Sequence, residues 1–246
     1  MLIGEDFTKI RLDLNGLVLL EPNAIVSDLV MAVVSFYIAR KLYSKRSSNG
    51  FIKYWYYFFL TFGFGALLGS MGHGLFHYLG PQGKFPTWIS AILSTYFIEK
   101  AMIKSYERRN KKNILGKIAF FKMITVFLLV ITVISSAAFD KNHTIGFLPI
   151  AINTILGVFI SVSVISTVNI KNQTGFKWLV FGVLAMLPSA VIFLMKINLL
   201  QWFDKGDLSH VFMTIGVCVY YTGITKIDTE KAPFNPNVES LTTKTR

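Results

Sequence analysis

Most of this chain is built from apolar blocks long enough to cross a bilayer, and nothing else in it restricts the fold as strongly. A spanning helix needs about 20 apolar residues, and it has to be a helix because hydrocarbon offers the backbone no hydrogen-bond partner. Seven blocks qualify: 22–43, 54–79, 86–106, 117–139, 145–168, 176–198 and 207–226. Breakers and charges separate them, including Ser47-Ser48-Asn49-Gly50, Gly80-Pro81-Gln82-Gly83, Asp140 to His143 and Asp204 to Asp207. The third block is the least apolar, with Glu99, Lys100 and Lys104 crowding its end. A soluble domain with 53% hydrophobic residues would space them at helical or strand periods instead of in unbroken runs. The expected fold class is therefore all-α, an integral membrane bundle of seven transmembrane helices.

The formal net charge of +12 has to be read by position. Arg40, Lys41, Lys45, Arg46 and Lys53 follow the first span. Lys100, Lys104, Arg108, Arg109, Lys111, Lys112 and Lys117 follow the third, Lys171 and Lys177 the fifth, and Lys226, Lys231, Lys244 and Arg246 the seventh. The other side has only Lys9, Arg11, Lys84, Lys141, Lys196 and Lys205, while Lys122 lies just inside the fourth span. Basic loops stay in the cytoplasm, so the bias gives an N-out, C-in topology. The run from Lys104 to Lys117 then reads as a topology signal in contact with anionic lipid, and no nucleic acid is expected as a partner. Glu5, Asp6 and Asp13 argue against a cleavable signal peptide. The single cysteine, Cys218, excludes an internal disulfide. Three regions follow: an outer segment 1–21, in which alternation from Thr8 to Leu14 suits a short strand or interfacial cap, a helical domain 22–228, and a disordered cytoplasmic tail 229–246. Lys-, Ile- and Asn-rich usage suits a bacterium with an AT-rich genome, and with the helical spans the expected location is a bacterial inner membrane.

Ionisable side chains are costly inside a bilayer and mark candidate sites. Given the alternating direction of the spans, Glu21, Asn23, Ser27 and Asp28, then Ser70, His73 and His77, then Asp207 and His210 fall at one depth near the outer face. His73 and His77 are four apart, on one face of an unbroken helix, with Ser70 on the same stripe. Two histidines at that spacing suit zinc, with His210 as third ligand, Asp207 orienting an imidazole, Ser70 serving an oxyanion and Asp28 acting as general base. The bland alternative is interhelical hydrogen bonding for the histidines and helix capping for Glu21 and Asp207. Asp28 lies too far inside its span for a cap. His143 is given no role, and Asn153, Pro188 and Lys196 read as packing, kink and snorkelling features.

Three stretches carry a family resemblance: Glu21-Pro22-Asn23, Gly69-Ser70-Met71-Gly72-His73 and Asp207-Leu208-Ser209-His210. They resemble the superfamily of seven-helix membrane hydrolases that includes alkaline ceramidases and the adiponectin and progestin receptor-like proteins. The resemblance implies zinc bound by one second-helix histidine and two at the start of the seventh helix. It also implies a serine four residues before the first of these histidines, an aspartate near the start of the third helix, and a calcium site involving the Glu-x-Asn segment. The chain departs from this pattern. Ser70 is three residues before His73, Thr214 stands four after His210, and Trp88 and Ser90 replace an aspartate. His77 would restore the ligand count in a two-plus-one arrangement. The expected activity is zinc-dependent hydrolysis of a lipid such as a ceramide-like amide. The alternatives are a receptor-like protein binding a lipid or small ligand, and a proton-coupled transporter relaying protons through Asp28. A retinal pigment is excluded because Lys226 lies at the end of the seventh span.

Overall fold

A computed structural model describes residues 7–106, 113–141, 143–171 and 173–227, so the expected disordered tail lies outside the described residues. The chain opens with a two-stranded antiparallel hairpin, β1 (Arg11–Leu14) and β2 (Leu17–Leu20), in which Leu14 pairs with Leu17. The two-residue loop is Asn15-Gly16, with φ of 51° and 92°. Positive φ at both positions lets such a turn follow the strand twist, and Asn-Gly tolerates it.

Among the described residues ten helices follow, α1 (Pro22–Tyr43), α2 (Gly50–Gly74), α3 (Phe76–Leu79), α4 (Phe85–Ser105), α5 (Ile114–Ile134), α6 (Ala137–Lys141), α7 (Leu148–Thr154), α8 (Val162–Asn169), α9 (Gly175–Met195) and α10 (Lys205–Lys226). Short 3-10 segments cover Gly80–Lys84 and His143–Phe147, and a π-helical stretch, Ile155–Ser161, joins α7 to α8. Local chemistry sets the boundaries. Pro22 opens α1 where its missing N–H costs nothing. Asn49 Oδ1 accepts from Phe51 N at 2.8 Å to cap α2. Asp204 and Asp207 form a reciprocal capping box at the start of α10.

Among the described residues, five helical stretches are long and apolar enough to cross a membrane: Pro22–Tyr43, Ile114–Ile134, Ile145–Asn169, Gly175–Met195 and Lys205–Lys226. A sixth is added if α2 and the run Phe76–Ser105, which meet at a sharp bend, are taken together. The outward faces are apolar, as lipid requires; Ile118, Phe121 and Leu128 of α5 are all exposed.

Packing pairs the long helices. α1 runs against α2, with a Cβ at Gly63 meeting Phe36 at 2.8 Å and one at Gly74 meeting Ile25 at 2.8 Å. Along α2 and α4, Gly50 faces Lys104, Thr61 takes a hydrogen bond from Ser94, Gly65 faces Ser90, and Gly72 faces Gly83. α10 lies antiparallel to α9 and alongside α1, where Met213 joins the Met31, Ala32 and Ala66 cluster. The main core lies at the α1–α2 loop end, around Trp55, Phe59, Ile98, Met102, Leu179, Val217 and Tyr220, each fully buried.

The α9–α10 contact depends on backbone approach. A Cβ at Gly175 would come 2.6 Å from the Gly223 carbonyl, and one at Gly223 would come 2.9 Å from the Gly175 carbonyl. Where lipid replaces water, such close packing takes over much of the role of the hydrophobic effect. Gly223→Leu should therefore lower stability by about 1–3 kcal/mol through overpacking. Leu184→Ala, at an exposed position of α9, should be nearly neutral. Thermal unfolding in detergent checks the contrast, and equal melting of the two variants would refute the close contact.

Candidate functional site

The polar layer expected from the sequence forms where α1 begins, α2 ends and α10 begins. Asp28 is 3% exposed and Asp207 2%. Asp28 fits there because Gly69 has no side chain: a Cβ at Gly69 would lie 2.9 Å from Asp28 Oδ2. The α1 helix thus lays a carboxylate directly against the α2 backbone.

Each of the two central imidazoles is held at Nδ1. His73 Nδ1 lies 2.7 Å from Glu21 Oε2, and Lys9 Nζ meets the same oxygen at 2.9 Å. His210 Nδ1 lies 2.9 Å from Ser27 Oγ, which lies 3.1 Å from Asp207 Oδ1. With Ser27 donating to Asp207, His210 Nδ1–H donates to Ser27, giving a carboxylate–hydroxyl–imidazole chain. That tautomer frees Nε2 as an acceptor, 3.6 Å from Asp28 Oδ1. Asn23 donates to the Trp202 carbonyl at 2.7 Å and ties α1 to the segment before α10. Ser70 is buried one turn before His73.

His77 does not join this group. The expected His73–His77 stripe required an unbroken helix, but α2 ends at Gly74, and Leu75 leaves helical geometry with φ −94° and ψ 14°. His77 lies on the separate short helix α3, where its exposed ring packs edge-on against Tyr78 at 4.9 Å. The cause is the return of the chain: a Cβ at Gly72 would lie 2.7 Å from the Gly83 carbonyl, so the Gly80–Lys84 turn folds back onto the end of α2. The place expected for calcium is a small cavity of about 10 Å³ bordered by Glu21, Asn23, Asp204 and Asp207, with Lys9 also on its wall. Among the described residues, no three His, Cys, Asp or Glu side chains converge on one point in the manner of a finished metal cage.

Sequence reasoning overlooked two features. Lys84, counted only as an outer-loop cation, lies within electrostatic reach of Asp28, Glu21 and His210. Its signal was the scarcity of cations on that side. The second is a separate buried pair in the opposite half of the bundle, Glu99 of α4 and Lys122 of α5, 2.6 Å apart, with Ser161 Oγ 3.5 Å from the same carboxylate oxygen. Two ionisable residues in neighbouring apolar spans were visible in the sequence, but their alignment depends on helix register.

The hairpin covers the polar end. Val18 N donates to Tyr78 Oη at 2.8 Å, and Glu21 N donates to the Ile10 carbonyl at 2.9 Å. Fold and site together define an all-α bundle of membrane-spanning type with a buried carboxylate–histidine cluster at one end. A family model matches residues 24–229, and the chain belongs to that family, DUF6962, a family of unknown function. No curated protein and no solved structure matches it.

Burial raises the pKa of Glu21, but the hydrogen bond and charge of His73, aided by Lys9, outweigh this and bring it from an ordinary 4.5 down to about 2. A carboxylate depressed in the folded state contributes stability that is complete above its unfolded pKa and disappears as pH falls through the folded one. The Glu21 contribution should be present above pH 4.5 and fade towards 2. Glu21→Gln should remove this acid-dependent part of the melting profile, and identical profiles would exclude it. For the second cluster, Lys122→Met should cost about 3–5 kcal/mol by leaving a buried charge unpaired, and adding Glu99→Gln should recover much of the loss. Additive losses in that double-mutant cycle would count against a coupled pair.

Proposed function

We propose that this protein is a membrane-embedded, metal-dependent hydrolase acting on a lipid, a divergent relative of the alkaline ceramidase and adiponectin–progestin receptor-like superfamily. The carrying observation is the setting of His210: Nδ1 is backed by Ser27 and Asp207, and Nε2 faces Asp28 at 3.6 Å. A ligating histidine characteristically gives its other N–H to a carboxylate or hydroxyl, which fixes the ring and raises its basicity. His73 has the same backing from Glu21. The three stretches that carry the resemblance also meet at one end of the bundle.

The donor set suits a divalent metal. In this reading His73 Nε2, His210 Nε2 and the Asp28 carboxylate would draw together around the ion as a two-histidine, one-carboxylate set, in which Asp28 takes the place that the sequence reading gave to His77. Such a set holds zinc in some enzymes and non-haem iron in others; zinc, when bound there, would acidify a water to a pKa of about 7. The protein's own residues do the rest. Ser70 offers a hydroxyl donor to an oxyanion, while Lys84 lends positive charge beside Asp28 and Glu21. Glu21 and Asp207 keep the two rings oriented, and the β1–β2 hairpin limits access of bulk water.

The seven-span count belongs to the same reading. α2 and α4 face each other from Gly50–Lys104 to Gly72–Gly83, which favours two antiparallel spans over one bent span. With the five other candidate spans the total is seven. The loop cations favour an N-out, C-in orientation in a bacterial inner membrane, with the polar site on the outer side.

Metal content by plasma mass spectrometry on detergent-purified protein tests the reading. Wild type should hold about one zinc per chain, as a single three-ligand site with a place left for water would. His73→Ala with His210→Ala should lose it, Asp28→Asn should weaken it, and His77→Ala should keep it. Folded wild type that stays metal-free after incubation with zinc would sink the hydrolase reading. Asp28 and His210 would then be better tested as a proton relay, by substrate flux that collapses in Asp28→Asn.

A further inference from the structure

At the opposite end of the bundle, between α1 and α2, lies a groove of about 430 Å³ that the hydrolase reading does not use. Phe36, Ala39 and Leu60 line its apolar part, Tyr43 and Tyr56 flank it, and Arg40 and Ser44 stand at its polar rim. We propose that this groove binds an anionic glycerophospholipid, with an acyl chain along Phe36 and Leu60 and the phosphate at Arg40 and Ser44.

Three observations point to an amphiphile with a negative head. First, the depth is that of a headgroup. Lys41 Nζ sits 5.2 Å over the Tyr37 ring, and the Arg46 guanidinium sits 3.3 Å over Tyr43 and 5.7 Å from Tyr56. Tyrosines topped by cations are characteristic of the membrane–water interface. Second, the charge is one-sided. Arg40, Lys41, Lys45 and Arg46 follow one another at this end of α1, and the chain has no Asp or Glu between Asp28 and Glu99. Third, the two arginines differ in their engagement. Arg46 also donates to the Tyr43 carbonyl at 2.5 Å and so braces the groove's edge, whereas Arg40 is exposed at the rim. A guanidinium there can grip a phosphate with two parallel N–H donors. The groove has polar groups only at its rim and apolar groups beneath, which suits a lipid better than a soluble anion. The site stands whether or not the polar end of the bundle is a hydrolase.

The test is native mass spectrometry of full-length protein equilibrated with mixed micelles of phosphatidylglycerol and phosphatidylethanolamine in equal amounts. Wild type should retain phosphatidylglycerol several-fold over phosphatidylethanolamine. Arg40→Gln, at an exposed position that leaves folding intact, should bring retention to the ratio in the mixture. Arg40→Lys should recover part of the preference. Lys53→Gln removes an equal charge outside the groove and should leave the preference unchanged. Leu60→Trp fills the groove without changing charge and should reduce retention of both lipids, with thermal melting confirming that it is folded. Equal retention of the two lipids by wild type would overturn the proposal. Equal losses in Arg40→Gln and Lys53→Gln would also overturn it, by assigning the preference to diffuse surface charge.

Discussion

A carboxylate placed well inside a membrane-spanning helix has to be provided for by its neighbours, and at this end of the bundle they are arranged around Asp28. Stripping such a group of water costs several kcal/mol unless charge and hydrogen-bonding partners replace the water. Here Lys84, just before α4, supplies charge, Gly69 leaves room for the carboxylate against the α2 backbone, and His210 Nε2 of α10 stands 3.6 Å away, too far for a hydrogen bond. A side chain at position 69 would push α2 away and leave the carboxylate against lipid or a void. The meeting of α1, α2 and α10 is therefore a consequence of Asp28 as much as a frame for it.

The two ends of the molecule are built on different principles. Around Trp55 and Tyr220, large rings fill the space between helices, with centroids 5.3 Å apart, and dispersion holds the bundle. Towards the hairpin, small residues and paired polar groups take over. That division suits a site that must admit a ligand, because polar contacts can be exchanged for others while a packed aromatic core cannot. The Glu99–Lys122 pair stands apart from both ends. It sits beside the π-helical stretch, where a Cβ at Gly157 would approach Glu99 Oε1 at 3.4 Å. Widened helical turns of this kind often accompany functional polar groups, although here a link between three spans accounts for the pair.

Legibility in the sequence depended on which interactions are local. Span 22–43 coincides with α1, and the starts of α4, α9 and α10 lie within a few residues of the reading, because hydropathy and Pro, Gly or Asp signals act over one helical turn. The layer of Glu21, Asp28, His73, Asp207 and His210 was also legible, since depth in a spanning helix follows from counting residues. The end of α2 was not. Hydropathy continues through Leu75 to Leu79, and only the return of Gly83 onto Gly72 reveals why the helix stops at Gly74. His77 left the cluster for that reason. The hairpin was read as a strand or interfacial cap, although Asn15-Gly16 carried the signal for a paired turn. Lys84 and the Glu99–Lys122 pair depend on register between helices, which a single sequence does not encode locally.

The hydrolase and proton-relay readings share Asp28 and His210, so those two residues alone do not separate them. What separates them is the backing at Nδ1. A relay works best when both imidazole nitrogens can exchange protons along a path, whereas a ligand works best when one nitrogen is fixed as a donor and the other is always free. Glu21 is committed to His73 by a short contact and to Lys9 by a second, and Ser27 with Asp207 commits His210 in the same sense. Two rings fixed independently, from different helices, are more backing than a proton wire needs. That double backing would suit the pair of metal ligands proposed above; Asp207 also closes the capping box of α10, whereas the Glu21 carboxylate caps nothing and is given over to His73 and Lys9.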